Sequence, residues 1–456
     1  MRNTLVNLIL LISLCSFVVA STGVAQIRIA TFNVDATPPI GSPVAYAKTR
    51  TICDPLSARG IVLLSEGRPI VLCAVDWIGI ANSAHDQWRE TLAQAAGTTP
   101  DRVSVQTLHQ HDGVRSDFAT EALLRQGAWD ASDFDTPFAR QVMDRCAKAI
   151  DVALTRVRPV THLGLGKARV HQVASNRRIL GEDGKVAITR WSRCTDPAAI
   201  AAPEGLIDPL VRLVSFFDGE TPVAVLTYYA THPMSHYGQG DVSADFVGLA
   251  RAQREADLPS ALHVHFTGAS GNITAGKYND GSEKMRPILT QRLADAMQRA
   301  WQSVEKIRIG ASDVDWRVQR VQLPLGKHLN GAALSAQLND PNTSARDRLG
   351  AASRLAWVQR HNRGHASEIS CLHIGNASLL NMPGELFVEY QIAARDLQPQ
   401  RLVCMAAYGD YGPGYIGTEI SYTQGGYEIG PTASLVAPEV EDVLMGAIKR
   451  VITMDN

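Results

Sequence analysis

The sequence has no surplus of positive charge: 44 Lys and Arg stand against 45 Asp and Glu, a formal net charge of −1 over 456 residues. Nothing is left over to neutralise a phosphate backbone, which argues against nucleic acid as a partner. Cysteine is scarce and no two residues form a CxxC pair, so a cysteine-rich zinc knuckle or thioredoxin-type motif is excluded. Beyond Cys15, the residues Cys53, Cys73, Cys146, Cys194, Cys371 and Cys404 are too few for a disulfide scaffold. Cys73, inside an apolar run, is expected to be a small buried hydrophobe. No Gly-x-Ser-x-Gly elbow surrounds Ser270, which argues against a serine hydrolase. Internal repeats, low-complexity tracts and linker-like stretches are also missing, so residues 26–456 are expected to form one domain. No strongly amphipathic basic segment stands out either, which leaves peripheral membrane contact open.

What is present begins with a targeting pattern. Arg2 precedes an apolar stretch from Leu5 to Ala20, and small residues offer cleavage after Ala20 or Ala25. The stretch is too short to make a convincing membrane span, and Leu14 before Cys15 fits lipid-anchor processing poorly. Residues 1–25 therefore read as a signal peptide, and the mature protein is expected to be secreted or periplasmic.

Strand-length apolar runs alternate with amphipathic helical patterns over the mature sequence. Gly60–Leu64 and Ile70–Val75 flank a Glu66-Gly67-Arg68-Pro69 turn. Further strands are expected at Arg102–Leu108, Val211–Phe217, Val223–Tyr229, Leu262–Phe266, Ile369–Ile374, Ala377–Leu380 and Leu402–Ala407. Thr136–Thr155, Lys284–Ser303 and Pro438–Ile452 carry apolar residues at helical spacing. Such alternation predicts an α/β fold, with mixed sheet flanked by helices.

The histidines are the most informative residues. His109 and His111 sit in Leu108-His109-Gln110-His111-Asp112-Gly113, directly after a predicted strand, and His232 and His236 follow another. Catalytic groups of open α/β sheets collect at the carboxyl ends of strands, so these two places suggest a metal site there. Zinc favours imidazole and carboxylate ligands and activates bound water near neutral pH. Glu385, in Asn381-Met382-Pro383-Gly384-Glu385, stands at a strand-to-helix corner, where capping the helix is the plainer role. His236 is expected to hydrogen-bond within its loop, and His263 and His265 to share one side of a strand. Asp241 and Asp245 would cap the helix beginning near Phe246, and Asp76 is a candidate to orient a histidine.

Taken together, these segments resemble the catalytic domain of the neutral/alkaline ceramidases. The family's His-x-His-Ser-Gly-Pro signature is matched by His109, His111 and Gly113, and its second zinc histidine by Ala230-Thr231-His232. Its Pro-x-Glu setting is matched by Pro383-Gly384-Glu385, and its tyrosine spacing by Tyr415, Tyr422, Tyr427 and Glu428. The resemblance implies a zinc ion on His109, His232, Glu385 and Tyr415, with His111 as an acid/base or supporting histidine. It also implies Tyr427 near the scissile carbonyl, Arg177 as a substrate-side cation, and Thr274 where the family has a serine. The implied activity is zinc-dependent hydrolysis of an N-acyl amide, ceramide being the family's substrate. A zinc esterase or amidase on a small non-sphingolipid substrate, or a non-catalytic exported binding protein, are the alternatives. Several motifs depart from the family: Ala275 and Gly276 replace its Pro-Asn, and Arg178-Ile179 its Ser-Pro. The family's further C-terminal β-sandwich domain is not expected here.

Overall fold

A computed structural model describes residues 26–453; the segment read as a signal peptide, including Cys15, lies outside them. Three larger sheets, of five, five and four strands, organise the chain, with several short two-stranded pairs between them.

The first sheet has the order Arg158–Pro159, Arg28–Asp35, Ser57–Leu64, Ile70–Val75, Val103–Thr107. The second runs Leu262–Thr267, Thr221–Tyr229, Leu210–Asp218, His162–Arg169, Glu305–Arg308. The third runs Val314–Val321, Ser367–Ile374, Ala377–Asn381, Leu402–Ala406. Each sheet is antiparallel except for a parallel pair at one edge, made by Val103–Thr107, Leu262–Thr267 and Leu402–Ala406 respectively. The expected mixed α/β architecture is the one found.

The sequence favours this because each central strand is apolar on both faces. Leu63 and Leu72 of the first sheet, Val214 and Val264 of the second, and Leu372 and Leu379 of the third meet in one buried core. The opposite faces are covered by helices: Ser83–Ala96 and Thr136–Leu154 on the first sheet, Asp245–Asp257 and Met285–Gln302 on the second. Val388–Leu397 and Val440–Ile452 cover the third. Strands buried on both sides read as continuous apolar runs rather than alternating ones, which is how they appear in the sequence. Cys73 is wholly buried, as expected, and no disulfide joins the described cysteines.

The three parallel edge strands converge. The Thr107 amide donates to the Tyr408 carbonyl, the Ala407 amide to the Thr267 carbonyl, and the Thr267 hydroxyl to the Leu108 carbonyl. The carboxyl ends of one strand from each sheet are thereby stitched together, and the histidines and tyrosines of interest leave from that point. Among the described residues no helix is long and apolar enough to cross a membrane.

Candidate metal centre

His109 follows the strand Val103–Thr107 by two residues, and Tyr408 follows Leu402–Ala406 by two; both have left-handed backbone, φ 62° and 64°. Such conformations are costly for bulky side chains and are kept where surrounding structure holds them. Here they turn the two rings face to face, with centroids 4.4 Å apart. His232 follows Thr221–Tyr229, and its loop lies under the Ser270–Ile273 turn that follows Leu262–Thr267. Gly271 in that turn passes so close to Glu385 that an added Cβ would lie 2.4 Å from the Glu385 carbonyl oxygen.

Glu385 lies in the short strand Glu385–Leu386, paired in parallel with Tyr415–Ile416. Its carboxylate turns away from the following helix, against the capping role. One oxygen, Oε2, lies 3.1 Å from His109 Nε2 and 3.0 Å from His232 Nε2, while the other accepts from the Tyr411 hydroxyl at 2.5 Å. The Tyr415 hydroxyl lies 3.5 Å from His232 Nε2. The ligand atoms of His109, His111 and His232 all fall within 4.8 Å of one another, and all three rings are buried.

The donor set passes a direct test for a cation. His109 Nδ1 faces the Ile78 carbonyl at 2.7 Å, and His232 Nδ1 faces the Ser270 carbonyl at 2.6 Å and the Ile273 carbonyl at 3.0 Å. Carbonyl oxygens only accept, so Nδ1 carries the proton in both rings and each neutral Nε2 presents a lone pair. In that tautomer two lone pairs and a carboxylate oxygen converge on one place, a donor set that a bound cation would satisfy. Fixing Nδ1 on backbone carbonyls is also how metal-ligating histidines are commonly oriented. The buried Nε2 atoms of His109 and His111 have no hydrogen-bond partner.

Electrostatics agree. Burial, helped by Arg177, pulls His232 down to about 4, so that it stays neutral. Burial alone would raise Glu385, but the adjacent His109 and His232 outweigh it and hold the carboxyl well below its usual range. Burial also pushes His111 well below the ordinary imidazole value.

His111 makes no ion-pair contact with Glu385; its Nδ1 is 2.7 Å from the Tyr46 hydroxyl. Arg177, expected on the substrate side, is buried instead: its guanidinium donates to the Tyr415 hydroxyl at 3.2 Å and sits 3.7 Å from Glu428. Thr274 is also buried, its hydroxyl donating to Ser192 Oγ at 2.7 Å. Tyr427 is 46 % exposed, packed edge-on against Tyr415 with centroids 5.6 Å apart. Tyr422 is bonded to Ser434, outside this cluster.

Two minor expectations fail. Asp76 orients no histidine, because its carboxylate is spent on Arg251 and Ser57. Asp241 caps nothing, being bound by Arg50 and Thr51, whereas Asp245 accepts from the Phe246 amide at the helix start. His236 bonds the Gly281 carbonyl within its loop region, and His263 and His265 are both buried on their strand. Residue reasoning also missed Tyr46, Tyr408 and Tyr411. The last two lie in the Tyr- and Gly-rich segment already conspicuous in the sequence; Tyr46 carries no local signal at all.

No family model matches the sequence and no curated protein matches it. Solved structures do. One described as a ceramidase complexed with C2 superposes with a TM-score of 0.68 at 19 % identity, covering 94 % of this chain and 75 % of that one. The neutral ceramidase from Pseudomonas aeruginosa gives 0.67 at 18 % identity, covering 94 % and 74 %. The chain has the neutral ceramidase fold. On that fold, the three buried histidines at the sheet junction could hold a metal ion.

Proposed function

We propose that the chain is a zinc-dependent hydrolase of N-acyl amide bonds, exported from the cell by its N-terminal signal pattern. The observation that carries this reading is the convergence of two neutral histidine lone pairs and one carboxylate oxygen in a buried pocket. Its place on the neutral ceramidase fold supports the choice of reaction.

His109, His232 and Glu385 would hold the ion, with Tyr415 as fourth ligand; imidazole and carboxylate donors suit zinc. Bound there, zinc supplies an activated water and polarises the carbonyl to be attacked. Tyr411 fixes the free oxygen of Glu385, so that the other oxygen keeps its aim at the two rings. Arg177 anchors the Tyr415 hydroxyl and is itself held by Glu428. Burial, with the neighbouring Glu385, holds the Tyr415 hydroxyl well above its usual value, while the Arg177 charge pulls the other way.

His111 is placed to move the proton. Its Nδ1 is anchored by Tyr46 while its buried Nε2 has no partner. Neutral imidazole there can take a proton and deliver it to the departing amine nitrogen, the step an amide needs because free amide anions leave poorly. Tyr427 stands at the mouth beside Tyr415, where its hydroxyl can donate to the carbonyl oxygen as negative charge develops.

The test is metal analysis of the purified chain coupled to release of fatty acid from N-acylsphingosine. About one zinc per chain with chelator-sensitive release is expected. Stoichiometric zinc without amide cleavage would move the reaction to another acyl bond, and absence of zinc would contradict the reading.

A further inference from the structure

A cleft of about 540 Å³ opens beside Glu385, Tyr411, Tyr415 and Tyr427 and runs to the helix Ala345–Asn362. Arg346, Leu349, Gly350, Ser353 and Arg354 of that helix line it, a spacing that puts them on one face. Gly350 and Ser353 make a low floor between two arginines; a Cβ added at Gly350 would come within 3.3 Å of the Arg354 guanidinium. Across the cleft, Arg115 joins them.

None of these three arginines makes an ion pair or side-chain hydrogen bond among the described residues. Buried arginines elsewhere have fixed partners: Arg251 pairs with Asp76 and Arg212 with Asp208, while Arg190 and Arg348 donate to backbone carbonyls. Acidic groups near the cleft do not balance them. Asp117 is committed as the cap of the helix Phe118–Gln126 and is also bonded to Asn82 and Thr120. Asp347 pairs with the Ser344 hydroxyl at the helix start, and Glu385 belongs to the metal centre. Phe134, Leu349 and Leu435 give the wall an apolar part, beside the polar Asn82 and Thr432.

We propose that this cleft selects amide substrates carrying an oxyanion, a sulfonate, carboxylate or phosphate, placed away from the scissile bond and held by Arg346, Arg354 and Arg115. The inference rests on the amide-hydrolase reading and names its substrate class. An uncharged amine would leave exposed Arg346 and half-buried Arg354 and Arg115 with water alone. An oxyanion gains charge-assisted hydrogen bonds in a partly enclosed site, where such bonds are stronger than in open water.

The experiment compares N-octanoyltaurine with N-octanoylethanolamine, which differ only in sulfonate against hydroxyl, and pairs turnover with calorimetric binding of their uncleavable ketone isosteres to the intact protein. The sulfonate isostere is expected to bind about ten-fold more tightly or better, from bonds to charged groups, and its advantage to shrink as salt rises. Arg346→Gln with Arg354→Gln should abolish that advantage, and Arg115→Gln should reduce it in part. Equal binding of the two isosteres by the unaltered protein would overturn the proposal, whatever turnover shows. Failure to cleave either amide would count against the hydrolase reading alone.

Discussion

Glu385 is the residue on which the centre turns, because one of its oxygens meets two imidazole nitrogens while the other is tied to Tyr411. Glu385→Gln keeps the shape and removes the charge, so metal binding is expected to be lost, with native secondary structure retained. Tyr411→Phe removes only the outer hydrogen bond and should weaken metal affinity by about 10- to 100-fold, the usual cost of losing such a partner. Competition with a chromophoric chelator measures both. His111→Ala separates roles differently: the metal should stay while turnover falls by about 10²- to 10⁴-fold, the range of a positioned acid/base group. Loss of zinc in that variant would make His111 a ligand instead. At this scale the sequence was legible where histidines and tyrosines fell at strand ends, and illegible where a partner came from far along the chain. Tyr46 on His111 is the plain case, since nothing local marks it.

The segment from Tyr408 to Tyr415 is the element that assembles the centre, supplying the ring stacked on His109, the hydroxyl on Glu385 and the hydroxyl beside His232. It has almost no regular structure of its own and is held by Asp410. That buried carboxylate accepts from the Asn82 and Gly412 amides and pairs with Arg360 and His365. Burial opposes its ionisation, yet Arg360, with His365 and His85, holds it well below the usual carboxylate range. Asp410→Asn is therefore expected to cost about 3 kcal/mol or more, as breaking a buried pair does, and to weaken metal binding in the surviving fold. Denaturant titration and metal competition on the same sample would check both effects; unchanged metal affinity would mean the loop holds its tyrosines without Asp410. Regular elements were readable because burial on both faces wrote long apolar runs into Ile70–Val75, Leu210–Asp218 and Ala377–Asn381. This segment was not, because its course depends on contacts with Asn82 and Arg360, which are remote in sequence.

The three sheets turn one face to a shared core and the other to helices, and that arrangement buries histidines with no part in the chemistry. Burial lowers His263 to about 4 and His265 to about 3, helped by the charge of Arg254 on the first and of Arg251 on the second. Both groups have folded values below the unfolded one, so the unfolded chain binds more protons once pH drops beneath about 6.5. Stability should be fully present above that pH and fall as pH descends toward 3, with a slope approaching about 1.4 kcal/mol per pH unit for each proton. Denaturation at stepped pH would show it, and His265→Gln should flatten the curve. The most direct test of the whole account remains the metal. Zinc per chain should be measured in the unaltered protein and in Glu385→Gln, together with N-acyl amide cleavage. One zinc and chelator-sensitive cleavage, both lost in the variant, is the expected result; cleavage that persists in the variant without bound metal would contradict a metal-dependent reaction at Glu385.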